Sequence, residues 1–252
     1  MRRVAERGRA RPSLDAEGPP GYNDPPVFAR VKARCEWWPS GDGRGHPLTD
    51  PGAIGVGVLV SGGGSNFEAL AVAVREGRVP GAEIRLLISN KPAVGALDRA
   101  RRLGIEALVV EPREFPNRAA FYDRVAAEFE RRGVQLVCLA GFLLKVEPNF
   151  IAKFRGRILN IHPALLPQYG GAGMYGHHVH EAVIKAGERE SGCTVHIVDE
   201  EFDHGPIRMQ SRVSVLPVDT PDSLAARVLA QEHKLYPEAL RREVEYLRKG
   251  LS

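Results

Sequence analysis

The chain repeats one structural unit, in which an apolar run of strand length is followed by a turn and then by a segment with helical spacing. The first unit has a strand at Ile54–Val60, a turn at 61–66 and a helix at 67–75. Strands that alternate with helices form right-handed βαβ crossovers, so the pattern predicts an α/β fold around a largely parallel sheet. The later strands are predicted at 84–89, 106–110, 136–141, Ile158–His162, 192–198 and 207–213, and the later helices at 94–103, 117–132, 148–154, 177–186 and 221–249. The last helix is predicted to kink or break at Pro237, because proline lacks the N–H that a helix interior requires.

Residues 1–53 differ in composition from the rest of the chain. They hold eight of the 19 prolines and sustain neither a helical nor a strand period. This composition predicts a poorly ordered N-terminal extension ahead of a folded α/β domain at 54–252. Trp37 and Trp38, with Cys35 and Phe28 nearby, form a short apolar stretch that could dock on the domain or on a partner subunit. The alternatives are a disordered leader and a start codon assigned too far upstream.

Charge and cysteine content limit the function classes. The 252 residues include 35 basic and 31 acidic side chains, a formal charge of +4. So small a surplus does not predict nucleic-acid binding, although it is compatible with an anionic substrate. Cys35, Cys138 and Cys193 are odd in number and widely spaced, which predicts reduced, structural thiols and a cytoplasmic location. No apolar run approaches the roughly 18 residues of a membrane span, and the N-terminus lacks the apolar core of a secretory signal.

Asn160 and His162 stand at the end of the strand Ile158–His162, which Pro163 stops. Residues i and i+2 of a strand point to the same side, so the amide and the imidazole can address one small volume. Strand ends of α/β sheets open into the ligand crevice. A histidine there can exchange a proton near neutral pH and an amide can hold an oxyanion. The alternative is an ordinary strand end with a surface histidine.

The turn after the first strand reads Ser-Gly-Gly-Gly-Ser-Asn from Ser61 to Asn66. Backbone N–H groups of a glycine turn at a helix start form a site for a phosphate. The turn lacks the Lys of a P-loop, and Phe67 occupies the position of the third glycine in the dinucleotide fingerprint. It therefore resembles a monophosphate site, unless it is a tight turn in which Ser65 or Asn66 caps the helix.

Two further segments contain candidate polar groups. The acidic loop 199–206 could bring a carboxylate beside His162 and so raise its pKa, or it could be a solvated turn. His177, His178 and His180 open a predicted helix after a glycine-rich stretch. They do not favour a metal site, because no cysteine or carboxylate was identified at ligand spacing beside them.

Five separated motifs together resemble the phosphoribosylglycinamide formyltransferase family. They are Ser61–Asn66, Ala140-Gly141-Phe142, the segment 160–167 (Asn-Ile-His-Pro-Ala-Leu-Leu-Pro), the segment 202–206 (Phe-Asp-His-Gly-Pro) and Gln231-Glu232-His233. The resemblance covers about 54–247. It implies a Rossmann-like formyltransferase fold, with a mostly parallel seven-stranded sheet and helices on both faces.

The resemblance also implies roles for individual residues. Asn160, His162 and Asp203 match the catalytic residues of the family, and no metal is implied. Gly64, Ser65 and Asn66 match the residues that hold the ribose phosphate, and Glu232 matches the residue that holds the ribose. The folate-binding residues are matched by Arg118, Leu143, Leu144, Lys145, Val146 and Asn160. The chain departs from the family where Leu144-Lys145 replaces the Arg-Ile of some members, in a longer loop at 171–178, and at His204.

The implied reaction transfers a formyl group from 10-formyltetrahydrofolate, as co-substrate, to the amine of glycinamide ribonucleotide. Asn160 and protonated His162 are expected to meet the oxyanion, while Asp203 favours the imidazolium and orders a water that relays protons. The implied partners are these two small molecules, with no nucleic acid or membrane, and the protein is expected to be a monomer or a homodimer.

The rival functions are a formylfolate hydrolase, an initiator-tRNA formyltransferase and a non-catalytic phosphosugar-binding module. The predicted phosphate site argues against the hydrolase, which does not need to bind a ribose phosphate. The tRNA formyltransferase would require a C-terminal nucleic-acid-binding domain. A serine hydrolase is disfavoured, because Phe67 stands where the nucleophile elbow requires glycine.

Overall fold

The computed structural model describes residues 52–250. Residues 1–51, and with them the predictions made for Cys35, Trp37 and Trp38, lie outside the described residues. The elements in chain order are β1 (Ile54–Val60), α1 (Ser65–Arg75), β2 (Ala82–Ser89), α2 (Gly95–Leu103), β3 (Ala107–Val109), a short 3-10 helix (Pro112–Glu114), α3 (Arg118–Arg131), β4 (Val134–Leu139), α4 (Pro148–Lys153), β5 (Ile158–His162), α5 (His177–Lys185), β6 (Glu190–Ile197), β7 (Ile207–Ser214) and α6 (Pro221–Arg248). Their bounds agree with the predicted ones to within two residues, and those of β1 and β5 are identical; the 3-10 helix was not predicted.

The seven strands form one sheet in the order β3-β2-β1-β4-β5-β6-β7. Strands β1 to β5 are parallel, whereas β6 is antiparallel to both β5 and β7. The predicted Rossmann-like, mostly parallel seven-stranded sheet is therefore confirmed. The chain builds outward from β1 to β3 and then returns to place β4 on the other side of β1. Such a reversal opens a crevice at the carboxyl ends of the strands on either side of it, here β1 and β4.

Helices cover both faces of the sheet. One apolar core includes Val56 and Val58 of β1 together with buried residues of α1, α2, α5 and α6. The other includes Leu59 of β1 and buried residues of α3 and α4. Strand β1 is buried along its whole length, as expected of a central parallel strand. At Gly57 an added Cβ would lie 2.6 Å from Cε1 of Phe129, so glycine there allows α3 to approach the sheet.

A kink or a break was predicted at Pro237. Helix α6 is continuous through this residue, so the break is wrong. Leu235, Tyr236, Ala239 and Leu240 on both sides of the proline are buried in the core. Packing of this apolar face stabilises the helix by more than the one backbone hydrogen bond that Pro237 cannot donate. The hydroxyl of Tyr236 donates to the carbonyl oxygens of Leu139, at 3.0 Å, and Leu159, at 3.1 Å. This helix thereby holds the last residue of β4 and the residue of β5 that precedes Asn160.

Cys138 and Cys193 are buried free thiols in β4 and β6. Burial raises the pKa of each thiol to about 12, so neither is a reactive thiolate near neutral pH. This agrees with the structural role predicted for them. No helix within residues 52–250 is both long enough and apolar enough to span a membrane.

Candidate active site

A cavity of about 480 Å³ opens at the carboxyl edge of the sheet, beside the reversal between β1 and β4. We call it the cleft. Residues from six separate parts of the chain line it, among them Asn66, Leu143, Leu144, Lys145, Val146, Asn160, His162, His180, His196, Phe202, Asp203 and Glu232. Its size is that of a small-molecule site. Most of the residues singled out from the sequence therefore face one volume.

The three predicted catalytic side chains lie together in the cleft. Asn160 and His162 are on β5, and Asp203 is in the loop between β6 and β7 with φ of 53°. Nδ1 of His162 lies 3.4 Å from Oδ2 of Asp203. Nδ2 of Asn160 lies 3.4 Å from Oδ1 of the same carboxylate. The proximity of residues 160, 162 and 203, separated by some 40 positions in sequence, is thus present in the fold.

Both ring nitrogens of His162 face acceptors. Nε2 lies 2.8 Å from the carbonyl oxygen of Tyr169, while Nδ1 faces Asp203. The same Asp203 oxygen accepts a hydrogen bond from the backbone N–H of Gly171 at 3.0 Å. The segment that follows β5 therefore covers the side chains of His162 and Asp203. Nε2 can donate to a substrate only after the Tyr169 carbonyl moves away.

The predicted rise in the pKa of His162 is wrong for this structure. Burial lowers the pKa of His162, and this effect exceeds the opposing effects of the Asp203 carboxylate and the Tyr169 carbonyl. The ring is only 4% exposed, and a buried cation loses its hydration. The sequence indicated the neighbouring charge but not the depth of burial. The pKa of Asp203 is lowered despite its own burial, chiefly by its close contacts with the rings of His196 and His162.

His196 is a member of the site that the sequence analysis did not identify. It lies on β6 directly opposite Asn160 of β5. Its Nε2 is 3.0 Å from Nδ2 of Asn160 and 3.4 Å from Oδ1 of Asp203. Only the antiparallel pairing of β6 with β5, which joins segments far apart in the chain, identifies Asn160 as the neighbour of His196.

Thr194 supports the turn that follows His162. Its hydroxyl donates to the carbonyl oxygen of Ala164 at 2.6 Å and accepts from the backbone N–H of Leu166 at 3.0 Å. Gln210 on β7 donates to the same hydroxyl at 2.9 Å and to the carbonyl oxygen of Leu166 at 2.9 Å. Strands β6 and β7 therefore hold the backbone segment that follows His162.

The predicted phosphoribosyl residues lie at the start of α1 and the middle of α6. Nδ2 of Asn66 donates to Oε2 of Glu232 at 2.6 Å, and both side chains are buried and line the cleft. Burial raises the pKa of Glu232, and the bond from Asn66 partly opposes this. Gly64 and Ser65 are adjacent in sequence but are not part of the cleft lining.

Helix α1 begins without a side-chain cap, so the predicted capping by Ser65 or Asn66 is wrong. Gly64 is the N-cap, with φ of 75° and ψ of 27°, and no side chain accepts from the first helical N–H groups. An added Cβ at Gly64 would lie 2.6 Å from the Cβ of Ala96, so both the conformation and the space require glycine. Uncapped N–H groups at a positive helix end can bind an anion.

The predicted folate-binding residues divide into two groups. Leu143, Leu144, Lys145 and Val146 all line the cleft. The ammonium of Lys145 lies 5.6 Å from the centre of the Phe202 ring, which is within cation–π range. Arg118 is not part of the lining; its side chain is 47% exposed and lies 4.0 Å from the carboxylate of Glu147. Arg118 is therefore beside the segment but outside the cavity.

Contrary to the expectation from the sequence, two of the three histidines at the start of α5, His177 and His178, lie beside the carboxylate of Glu181. Nδ1 of His177 lies 3.0 Å from Glu181, and its Nε2 lies 2.9 Å from Asp222 of α6. These ion pairs raise the pKa of His177, whereas burial lowers that of His180. Within the described part of the chain, no three or more His, Cys, Asp or Glu side chains are grouped so as to hold a metal ion.

Comparisons with known proteins provide relatives of high similarity. A family model described as formyl transferase matches residues 55–240. The trifunctional purine biosynthetic protein adenosine-3 of Drosophila melanogaster is 44% identical over 186 residues, which are 73% of this chain but only 13% of that protein. The chloroplastic phosphoribosylglycinamide formyltransferase of Arabidopsis thaliana is 43% identical over 200 residues, covering 79% of this chain and 67% of that protein.

A solved structure matches the fold as well as the sequence. Glycinamide ribonucleotide transformylase 1 from Symbiobacterium toebii has a TM-score of 0.73 and 40% sequence identity, covering 77% of this chain and 89% of that chain. The match of the family model includes β1 to β7 and most of α6. With sequence and fold in agreement, the chain belongs to the formyl transferase family, together with phosphoribosylglycinamide formyltransferases.

Proposed function

We propose that the protein transfers the formyl group of 10-formyltetrahydrofolate to the amine of N1-(5-phospho-D-ribosyl)glycinamide, giving the N2-formyl product and tetrahydrofolate in purine biosynthesis. The observation that carries this proposal is the cleft itself. Asn160, His162 and Asp203 lie together in it, and the Asn66–Glu232 pair and the segment 143–146 line the same cavity. The names of the relatives support the same reaction.

The ribonucleotide is proposed to bind at Asn66 and Glu232. A buried carboxylate that already accepts one short hydrogen bond can accept others from the two ribose hydroxyls. The phosphate would bind the uncapped N–H groups of Gly64, Ser65 and Asn66 at the start of α1. Glu232 and the helix end therefore recognise different parts of one ligand.

The folate is proposed to bind along the segment 143–146. This segment offers apolar side chains for the pterin and benzoyl rings, and the exposed side chains of Leu143 and Phe202 extend that surface. Lys145, with Arg118 outside the cavity, supplies positive charge for the carboxylates of the glutamyl group. Lys145 takes on this role because Leu144 occupies the position where some members have arginine.

The chemistry requires donors for an oxyanion and a route for one proton. The amine nitrogen attacks the formyl carbon, whose oxygen gains the negative charge. Asn160 and protonated His162 donate to that oxygen. As the C–N bond to the folate breaks, the proton lost by the amine passes through Asp203 and solvent to the folate nitrogen. All atoms are conserved, and no enzyme-bound covalent intermediate forms.

His162 is proposed to change its contacts and its charge when substrates bind. In the structure its Nε2 is engaged by the carbonyl oxygen of Tyr169, a residue with φ of 56° at the start of a glycine-rich segment. Displacement of that carbonyl by the formyl oxygen would free the N–H. The developing oxyanion and Asp203 would then together favour the imidazolium over the neutral ring that burial favours.

A spectrophotometric assay of the folate tests this proposal. We expect conversion of 10-formyltetrahydrofolate only when glycinamide ribonucleotide is present, together with a formylated product. Conversion without the ribonucleotide would indicate a hydrolase instead. Binding of the ribonucleotide without any conversion would indicate a phosphosugar-binding module.

We also propose that the protein acts in the cytoplasm as a monomer or a homodimer, without nucleic acid, membrane or metal. Two buried free thiols support a reducing compartment. Sedimentation at several protein concentrations would give the oligomeric state. Activity that survives dialysis against a chelator would support the metal-independent reaction.

A further inference from the structure

His196 is buried against the catalytic groups and contacts two of them. Its side chain is 1% exposed. Nδ1 lies 2.9 Å from the backbone carbonyl oxygen of Ile197. A carbonyl oxygen can only accept, so Nδ1 carries the hydrogen. In the neutral ring Nε2 then presents a lone pair, and the nearest group to it is the donor Nδ2 of Asn160 at 3.0 Å. Oδ1 of Asp203, which can only accept, lies farther from Nε2, at 3.4 Å.

This contact decides which end of the Asn160 side chain faces which neighbour. Nδ2 of Asn160 donates one hydrogen to the His196 lone pair, and its other hydrogen lies 3.4 Å from Oδ1 of Asp203. A rotated amide would instead turn its oxygen toward the lone pair of His196 and the negative carboxylate of Asp203. Both contacts would be repulsive. The first amide hydrogen is therefore held by His196. The second makes only a long, weak contact with Asp203, which a substrate oxyanion can replace.

We propose that His196 is a positioning residue, which orients the amide of Asn160 so that its second hydrogen points to the formyl oxygen. The inference rests on the proposed function, because it assigns Asn160 to the oxyanion. The strand pairing supports it independently. Asn160 and His196 are direct partners across β5 and β6. The backbone hydrogen bonds of the two strands therefore hold these residues side by side, in addition to the bond between their side chains.

Two substitutions separate positioning from packing. His196→Gln keeps an acceptor near the position of Nε2, whereas His196→Leu fills a similar volume without one. We expect kcat of His196→Leu to fall about 10- to 100-fold, the usual cost of a misplaced catalytic group, with KM for glycinamide ribonucleotide changed less than about threefold. His196→Gln should retain kcat within about fivefold. Cys193→Ala, on the same strand and buried in the core, is the matched control and should keep kcat.

A double-variant cycle identifies the residue through which His196 acts. His196→Leu introduced into Asn160→Ala should lower kcat no further, because the amide that His196 orients is already absent. An equal fall in both backgrounds would overturn the proposal, as would equal losses in His196→Gln and His196→Leu. In ¹⁵N-labelled protein, the His196 ring should show the Nδ1–H tautomer. The Nε2–H tautomer would also overturn it.

The same measurements distinguish failure of this inference from failure of the proposed function. Wild-type protein without ribonucleotide-dependent transfer would reject the proposed function, and the positioning role for that reaction with it. Active wild-type protein with an equally active, folded His196→Leu variant would reject only the positioning role.

Discussion

Replacement of Asn160 by alanine tests the proposed chemistry most directly. Asn160 is partly buried at the end of β5, and one of its amide hydrogens is held by His196 at 3.0 Å. The other is the proposed oxyanion donor. The pair Asn66–Glu232, which is proposed to bind the ribose, belongs to α1 and α6 and not to β5. The substitution should therefore affect the transition state much more than the binding of the ribonucleotide.

The magnitude follows from counting the donors that are lost. Asn160→Ala removes one oxyanion donor, which typically costs about 100- to 1,000-fold in kcat, or about 3 to 4 kcal/mol of transition-state stabilisation. It also removes one ordinary hydrogen bond from the fold, to His196, worth about 1 kcal/mol of stability. KM for the ribonucleotide should change less than about threefold, because the side chains that are proposed to bind it, Asn66 and Glu232, are unchanged.

Asn160→Asp distinguishes hydrogen-bond donation from shape. The carboxylate has the volume of the amide but donates no hydrogen bond when ionised, and it would stand about as close to Asp203 as the present 3.4 Å contact. We expect a loss of kcat at least as large as in Asn160→Ala. Both variants are measured by folate absorbance, with urea unfolding as the check on stability.

Asn149→Ala is the matched control, since Asn149 is also partly buried and its Nδ2 donates to Ala119 and Asp123, each at 2.9 Å. It lies outside the cleft lining and should keep kcat. A folded Asn160→Ala or Asn160→Asp variant with kcat within tenfold of wild type would refute the oxyanion assignment.

Three further predictions concern binding, backbone strain and pH. Glu232→Gln should raise KM for the ribonucleotide about 10- to 100-fold with little change in kcat, because hydrogen bonds to a charged group contribute about 1.5 to 3 kcal/mol; initial rates over a range of ribonucleotide concentrations measure this. Gly64→Ala should lower the free energy of unfolding, measured by urea unfolding, by about 2 to 5 kcal/mol. The φ of 75° costs a non-glycine residue about 1 to 2 kcal/mol, and the clash of the new Cβ with Ala96 costs about 1 to 3 kcal/mol more. Burial lowers the pKa of His162 below the ordinary value of 6.5, so below about pH 6.5 the unfolded chain binds more protons and stability falls as the pH falls. His162→Gln should therefore make the free energy of unfolding less dependent on pH between about 6.5 and 5.

Each of these predictions has its own control. Gly104→Ala carries a similar φ of 69° with no atom within 4 Å of the added Cβ, and should cost only about 1 to 2 kcal/mol. Equal losses at Gly64 and Gly104 would show that the contact with Ala96 has no effect. A fall in kcat without a change in KM for Glu232→Gln would argue against a ribose-binding role. An unchanged or steeper pH dependence in His162→Gln would contradict the lowered pKa.

The sequence allowed the strands and helices to be predicted because their signals are local. The buried run Ile54–Val60 and the glycine turn after it identify a βα unit without any knowledge of the rest of the chain. Alternation likewise placed Asn160 and His162 on one side of a strand. The rule that proline interrupts a helix failed at Pro237, because it considers only neighbouring residues. Burial of the apolar face of α6 against distant parts of the chain stabilises the helix by more than the missing hydrogen bond destabilises it.

The sequence by itself determined the order of the elements, the glycine turn and the polar side chains at the end of β5, since each depends on residues a few positions apart. The tertiary structure decided which of these groups meet. The register of β6 against β5 set His196 opposite Asn160, the β6–β7 loop brought Asp203 to His162, and the covering segment at Tyr169 buried the imidazole. Those distances and that burial depend on the packing of segments far apart in the chain, so the direction of the pKa change at His162 follows only from the folded protein.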